Sequence, residues 1–117
     1  MKLNAANSSE VLILAKETTL LSDLKNQIEK DFGLANISLN LPVKFVAKTF
    51  VSAIREKVYH LMMEQFHEYL NLLYIVDIPE SQFKQIVVTD AVEVADQITF
   101  LILRREYQKV WYRNKYK

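Results

Sequence analysis

The chain of 117 residues contains no cysteine, a single glycine (Gly33) and only two prolines (Pro42 and Pro79). Without cysteine it can form no disulfide framework, no thiolate-based zinc or iron–sulfur site and no thiol nucleophile. One glycine cannot build a glycine-rich phosphate loop, a dinucleotide-binding turn or a nucleophile elbow. So few turn-forming residues also argue against an all-β fold. These absences leave a helical protein without the common nucleotide-binding and catalytic motifs.

Long hydrophobic runs are also absent, since no uninterrupted apolar stretch exceeds five residues. A membrane-spanning helix needs about twenty apolar residues, and residues 1–6 lack the hydrophobic region of a secretory signal. The absence of cysteine is typical of a reducing compartment. We therefore expect a cytoplasmic protein that does not bind membranes, with one domain over residues 1–117 whose first eight residues are frayed.

The apolar pattern predicts an all-α fold, a small bundle of three main helices and one short helix. The first main helix begins at a Ser8 or Ser9 cap and runs to about Phe32, and Gly33 is expected to end it. From Leu34 to Leu41 apolar and polar side chains alternate as in a strand, but no other segment offers a strand to pair with. We therefore expect this stretch to be an extended connector that packs on the helices.

Three further helices are predicted after the connector. The second main helix runs without interruption from Pro42, which suits a first helical turn, to Tyr74. A carboxylate three residues after a capping aspartate then occurs twice, and this spacing is typical of helix starts. It predicts a short helix from Ile78 to about Val88 and a last main helix from Ala91 towards Asn114.

The last predicted helix is apolar on two nearly opposite sides. Such an element is either central in its own domain or shared with a second chain. Three main helices offer little to cover both sides, so we expect a homo-oligomer. The residues predicted to form the contact between copies are Phe100, Leu103, Tyr107 and Val110.

Glu64 and His67 form the Glu-x-x-His element that carboxylate-bridged two-metal bundles supply from their helices. His60 lies on the same polar stripe, so these three side chains are the candidates for a metal site. However, the chain has no second Glu-x-x-His, and the stripe lies opposite the apolar face of the predicted helix. We therefore interpret the stripe as a solvated polar face and expect no cofactor, and a metal-binding helical protein is the third hypothesis.

The C-terminal segment, residues 104–117, is basic and aromatic. It holds six basic residues and one acidic residue, a net charge of +5, whereas residues 1–103 hold nine and thirteen, a net charge of −4. Basic side chains can follow phosphates while aromatic rings stack on bases. The candidate nucleic-acid-binding residues are Arg104, Arg105, Lys109, Trp111, Tyr112, Arg113, Lys115 and Tyr116.

Structural interpretations of this segment compete with nucleic-acid binding. Cations near a helix C-terminus interact favourably with the helix dipole, and Tyr107, Val110 and Trp111 would dock the segment on the bundle. The function expected first is therefore a non-catalytic helical interaction or scaffold module that self-associates through its last helix. The alternative is a nucleic-acid-binding accessory protein. No catalytic residues are assigned and no enzyme is expected, because no constellation of nucleophile, acid and base stands out.

Overall fold

The computed structural model describes residues 5–116, and these residues form six α-helices and no β-strand. The predicted all-α class is thereby confirmed. Two of the predicted main helices are each divided by a break, so the helices are more numerous than predicted. Their bounds are α1 (Ser8–Glu17), α2 (Leu21–Leu34), α3 (Ala47–Glu64), α4 (Phe66–Val76), α5 (Glu80–Phe83) and α6 (Ala91–Lys115).

The start of α1 differs from the prediction by one residue. Asn7, rather than Ser8 or Ser9, is the cap, because its side-chain oxygen accepts a hydrogen bond from the backbone N–H of Glu10 at 3.0 Å. The fraying predicted for residues 1–8 lies in part outside the described residues, which begin at residue 5. Helix α1 itself starts at Ser8, inside the stretch that was predicted to be frayed.

Helix α1 ends where the prediction had it continue. Thr19 adopts the left-handed conformation with φ of 59°. The Leu20 N–H donates to the Ala15 carbonyl at 2.8 Å, and the Thr19 N–H donates to the Lys16 carbonyl at 3.1 Å. This pair of bonds is a Schellman motif, which satisfies the last carbonyls of a helix. Because Leu20 is buried, the turn is held by a packing contact that helical periodicity does not reveal.

The same motif ends α2, but not at the expected glycine. Asn36 is the left-handed residue, with φ of 63°, and the Ile37 N–H donates to the Phe32 carbonyl at 2.9 Å. Gly33 lies inside α2 and has no positive φ. The expectation that Gly33 ends the helix is therefore wrong. Asn36 takes the place that was expected for Gly33, because asparagine is, after glycine, the residue that most often adopts the left-handed conformation at a helix end.

The stretch between α2 and α3, residues 35–46, is irregular, and it pairs with no strand in the described part of the chain. Ile37 is buried, and Leu39 and Leu41 are half-buried against the core. The predicted connector that packs on the helices is confirmed, although Leu34 still belongs to α2.

The second predicted helix begins later than expected and is interrupted. Helix α3 starts at Ala47 rather than Pro42, and the ring of Phe45 lies 6.0 Å from that of Phe50 in a hydrophobic staple. Gln65 leaves the helical conformation (φ −138°, ψ 61°) and separates α3 from α4. An unbroken helix of the predicted length would span about 50 Å, whereas the longest dimension of the molecule is 37 Å. The break lets both helices pack on α6.

The segment after α4 also departs from the prediction. Asp77 is left-handed, with φ of 65°, and ends α4 instead of capping the next helix. Helix α5 has only four residues, so the predicted helix from Ile78 to Val88 is largely irregular. The start of α6 agrees with the prediction, because the Asp90 carboxylate accepts a hydrogen bond from the Glu93 N–H at 2.9 Å.

Helix α6 is the central element of the bundle. It packs against α1, α2, α3 and α4, and buried side chains occur on both of its apolar sides. Of the two explanations for a two-sided apolar helix, the position inside its own domain therefore accounts for the pattern. The breaks at Thr19 and Gln65 supply the additional helices that cover both sides.

Candidate functional site

The residues predicted to contact a second copy lie mostly in the chain's own core. Leu103, Tyr107 and Val110 are buried, and the Tyr107 hydroxyl lies 3.1 Å from the Thr18 hydroxyl of the α1 end. Phe100 is half-buried, beneath the Arg104 guanidinium at 5.0 Å from the ring centre. Three of these four side chains therefore pack inside the monomer, and a contact between copies through them stays a prediction.

The polar stripe of α3 and α4 is exposed to solvent. His60, Glu64 and His67 are all exposed, and His60 Nδ1 lies 3.5 Å from Glu64 Oε2. Because Gln65 interrupts the helix, Glu64 and His67 do not share a helical turn, and the geometry assumed for the metal hypothesis is lost. Within residues 5–116, no three side chains of the metal-binding types converge.

The basic line of the C-terminal segment contacts the rest of the bundle. Arg105 donates to the Asp77 carbonyl at 2.9 Å, and Lys109 Nζ lies 2.8 Å from Asp31 Oδ2. Arg113 donates to the side-chain oxygen of Gln27 at 2.7 Å. Only 26% of the side-chain surface of Arg105 and 20% of that of Lys109 is accessible to solvent. These bonds hold α6 to α2 and to the end of α4.

Apart from Arg104, which lies over the Phe100 ring, the remaining residues of the predicted nucleic-acid surface belong to the last turns of α6. Trp111 is half-buried, with Lys115 Nζ 4.8 Å from its ring centre. The rings of Tyr112 and Tyr116 are stacked at 6.2 Å, and both are exposed. The exposed basic and aromatic surface is therefore smaller than the sequence indicated, because the segment before Lys115 serves in part to dock α6.

Beneath the contacts that Arg105, Lys109 and Arg113 make with the bundle lies a cluster of buried ionisable groups. Glu106 of α6 is fully buried, and Asp31 and Gln27 of α2 are nearly so. Lys109 Nζ lies 3.2 Å from Glu106 Oε1 and also donates to the Ile75 carbonyl of α4 at 3.4 Å. Gln27 donates to Asp31 Oδ1 at 3.1 Å. Among the described residues, no donor is in hydrogen-bond geometry with either Glu106 oxygen.

The unpartnered oxygens of Glu106 are explained by its protonation. Burial, and then the neighbouring Asp31 carboxylate, raise the pKa of Glu106 from 4.5 to about 9 in spite of Lys109. Burial alone would raise the pKa of Asp31 as well, but hydrogen bonds from Glu106 and Lys109 outweigh it and hold that pKa below 3.8. The raised pKa favours the neutral acid form of Glu106 at neutral pH, and the Asp31 carboxylate pairs with the Lys109 ammonium.

Two carboxyls with divergent pKa values can mark a catalytic acid and base. Such a pair needs access to substrate, but Glu106 is fully buried and Asp31 is nearly so. We interpret the cluster as an ionic lock between α2 and α6. The sequence indicates this cluster through Glu106, because a charged residue stands there four positions from an apolar side chain on either side.

An apolar surface on α4 was missed by the sequence analysis. Phe66, Leu70 and Tyr74 stand at four-residue steps, and they are 57%, 50% and 82% exposed. The sequence could have revealed this surface through the composition of α4, because His67, Glu68 and Asn71 are the only polar side chains of that helix.

Leu70 and Tyr74 of this row line a groove between α4 and α5. Its volume is about 430 Å³, which falls within the ~300–1,000 Å³ of pockets that enclose small ligands. Tyr69, Leu73 and Ile78 form its buried and half-buried floor, and Phe83 forms the α5 wall. We name the exposed row together with this groove the α4 docking surface. Its lining residues are Tyr69, Leu70, Leu73, Tyr74, Asp77, Ile78 and Phe83.

Comparison with known proteins adds no relative. The chain matches no protein family, and no curated protein or solved structure is detectably similar to it. Between residues 5 and 116, none of the helices combines the length and the apolar character that crossing a bilayer would require.

Proposed function

We propose that the protein is a non-catalytic interaction module that binds a protein partner on the α4 docking surface. The observation that carries this proposal is the exposed row of Phe66, Leu70 and Tyr74 beside an apolar groove. Single exposed apolar side chains are ordinary, but a contiguous patch is typical of interaction sites. Covering such a patch would release roughly 25 cal/mol per Å² of apolar surface.

The proposal moves the contact surface from the last helix to α4. A second copy of the chain is one candidate partner, and self-association through α4 retains the predicted homo-oligomer. A cytoplasmic location belongs to the same proposal and depends on the absence of cysteine.

The other two hypotheses have less support. Nucleic-acid binding would have to use a segment in which Arg105, Lys109 and Arg113 already have acceptors within the chain. A metal site would have to bring Glu64 and His67 together across the break at Gln65.

Site-specific crosslinking in cells tests the proposal. A photoreactive amino acid placed at Tyr74 should crosslink one defined protein, identified by mass spectrometry, and the adduct should disappear when Leu70→Glu is added. The matched control is Ile13→Glu, because Ile13 on α1 is 47% exposed, close to the 50% of Leu70. Sedimentation velocity at tens of micromolar measures self-association of the same variants. Monomeric protein with no specific adduct from Tyr74 would refute the proposal.

A further inference from the structure

A second cleft of the described chain lies between α6 and residues 82–86, at the end of α5 and just after it. Its volume is about 180 Å³, smaller than the ~300–1,000 Å³ of pockets that enclose drug-sized ligands. Three apolar side chains (Ile86, Phe100 and Leu101) and three glutamines form most of its lining, and none of these residues lines the α4 docking surface. The cleft is therefore a separate site, and its size suits a small molecule.

Arg104 is the only charged residue among the described residues that line this cleft. It is half-buried, and its Cζ atom lies over the Phe100 ring, 5.0 Å from the ring centre. This contact holds the guanidinium without using its N–H donors in a hydrogen bond. Within residues 5–116, no acceptor is hydrogen-bonded to Arg104 and no carboxylate forms an ion pair with it. The cleft therefore contains a positioned cation whose donors are open to a ligand.

The acidic residues that precede Arg104 on α6 are engaged elsewhere. Glu93 Oε2 accepts a hydrogen bond from the Thr89 hydroxyl at 3.3 Å. Asp96 Oδ1 lies 3.4 Å from Arg55 Nη1 of α3. No acidic side chain of the described residues therefore compensates the charge of Arg104 in the cleft, and an anionic ligand would do so.

The glutamines hold one wall of the cleft and supply further donors. Gln97 Oε1 accepts from the Val87 N–H, and Gln97 Nε2 donates to the Val87 carbonyl, both at 2.9 Å. These two bonds attach the segment after α5 to α6. The side-chain amides of Gln82 and Gln85 have no hydrogen-bond partner in the part of the chain that the structure describes. Their N–H groups can donate to a ligand oxygen.

The chemistry of the lining favours an anion of single charge with an apolar body. A planar guanidinium matches the two oxygens of a carboxylate in a bidentate pair. Phosphate sites are typically built from helix N-termini or from several backbone N–H groups, whereas the donors of this cleft are one guanidinium and side-chain amides. We propose that the cleft binds a small carboxylic acid in its ionised form, with the carboxylate on Arg104 and the apolar body against Ile86 and Leu101.

Benzoate and its neutral amide, benzamide, test the proposed site. The two molecules have the same ring and nearly the same shape, but only benzoate carries a charge at neutral pH. Nitrogen-15 NMR of the full chain should show that benzoate shifts the Arg104 Nε–H signal and the side-chain amide signals of Gln82 and Gln85. The shifts should saturate in the millimolar range, which is typical of so small a ligand. Benzamide at the same concentrations should leave these signals unchanged.

Variants at Arg104 test the role of the guanidinium. Arg104→Gln should weaken benzoate binding by roughly tenfold or more, because the charge-assisted bidentate pair is lost. Arg104→Lys keeps the charge without the planar fork and should weaken binding by roughly three- to tenfold. The matched control Lys84→Gln removes an exposed cation next to Gln85 in the chain, outside the lining, and should leave binding unchanged. The amide signals of Gln82 and Gln85 report binding, and the backbone spectrum verifies that each variant is folded.

Four results would overturn the inference. Equal shifts with benzoate and benzamide would show an apolar cleft that does not recognise an anion. Stronger binding of inorganic phosphate than of benzoate would replace the carboxylic acid by a phosphate ester. Benzoate binding that survives Arg104→Gln would place the ligand elsewhere. Absence of benzoate-dependent shifts up to tens of millimolar would refute the site, whereas crosslinking from Tyr74 tests the α4 docking surface independently.

Discussion

Glu106→Gln should make the protein more stable at neutral and alkaline pH. The Glu106 carboxyl is fully buried, and burial together with the Asp31 carboxylate raises its pKa from 4.5 to about 9. The charged groups that face it are Asp31 from α2 and Lys109 from its own helix. At pH 7 the folded protein therefore holds a proton on Glu106 that the unfolded chain does not bind. Glutamine has nearly the same volume, is neutral at every pH and can donate to Asp31.

The sign and the size of the effect follow from this proton uptake. Since the folded-state pKa lies above the unfolded value of 4.5, the contribution of Glu106 is complete below pH 4.5 and is lost as pH rises through about 9. Each pH unit in that interval is worth at most about 1.4 kcal/mol of unfolding free energy. Keeping the proton at pH 7 thus costs on the order of 3 kcal/mol. We expect Glu106→Gln to recover roughly 1 to 3 kcal/mol of it.

Asp31 does not obscure this dependence. Its pKa is lowered in the folded state, so its contribution is present above its ordinary value of 3.8 and is lost only as pH falls further. Measurements from mildly acidic to mildly alkaline pH therefore report on Glu106 rather than on Asp31.

Urea unfolding near pH 5, 7 and 8.5 measures the unfolding free energies of wild type and variant. The wild type should lose stability along this series, Glu106→Gln should change little, and the two should nearly coincide at about pH 5. The matched control Glu29→Gln removes an exposed carboxylate of α2 and should alter the free energy by less than about 0.5 kcal/mol.

Two results would refute the reasoning about Glu106. Parallel pH dependence of wild type and Glu106→Gln would show that Glu106 does not take up a proton on folding. A variant less stable than the wild type at pH 7 would show that Glu106 is ionised and paired with Lys109. Carbon-13 NMR of the Glu106 carboxyl gives an independent measurement, and its signal should stay that of a protonated acid until about pH 8.

Three further predictions concern stability and assembly. Leu103→Ala should lower the unfolding free energy by about 2–5 kcal/mol without changing the sedimentation coefficient, because Leu103 is fully buried in the monomer. If the variant instead dissociates an oligomer, the subunit contact predicted on the last helix would be supported. Lys109→Met should cost about 3 kcal/mol in urea unfolding, because it leaves the Asp31 carboxylate buried without its ammonium partner; an unchanged midpoint would contradict the ionic lock. His60→Ala and His67→Ala should each shift stability by less than about 0.5 kcal/mol, since both side chains are exposed, and a metal lost from the purified protein on His67→Ala would contradict the solvated-face interpretation.

The helix boundaries show which local signals suffice. Asp90 and Glu93 predicted the start of α6 correctly, because a capping aspartate bonds a backbone N–H only three residues away. The breaks at Thr19 and Gln65 were not predicted, since neither residue is glycine or proline and the helical period continues through both. Burial of Leu20 stabilises the first break, and that burial depends on helices that are distant in sequence.

The candidate sites show the same division. The steps of four between Phe66, Leu70 and Tyr74 can be found in the sequence, but they do not reveal whether a neighbouring helix covers that face of α4. Glu106 stands four positions from the apolar residues Ile102 and Val110 in the sequence. Its protonation nevertheless depends on Asp31, which belongs to another helix.

The amino-acid sequence by itself determined the all-α class, the cap of the last helix, the exclusion of cysteine chemistry and the basic character of the C-terminal segment. Each of these depends on residue type or on neighbours within a few positions. Only the tertiary structure decided that both sides of α6 are covered and that Arg105 and Lys109 contact the bundle. It also decided that Glu106 is buried away from solvent, whereas one face of α4 stays exposed to it. Burial and desolvation are set by residues far apart in the chain, which meet only when the helices pack.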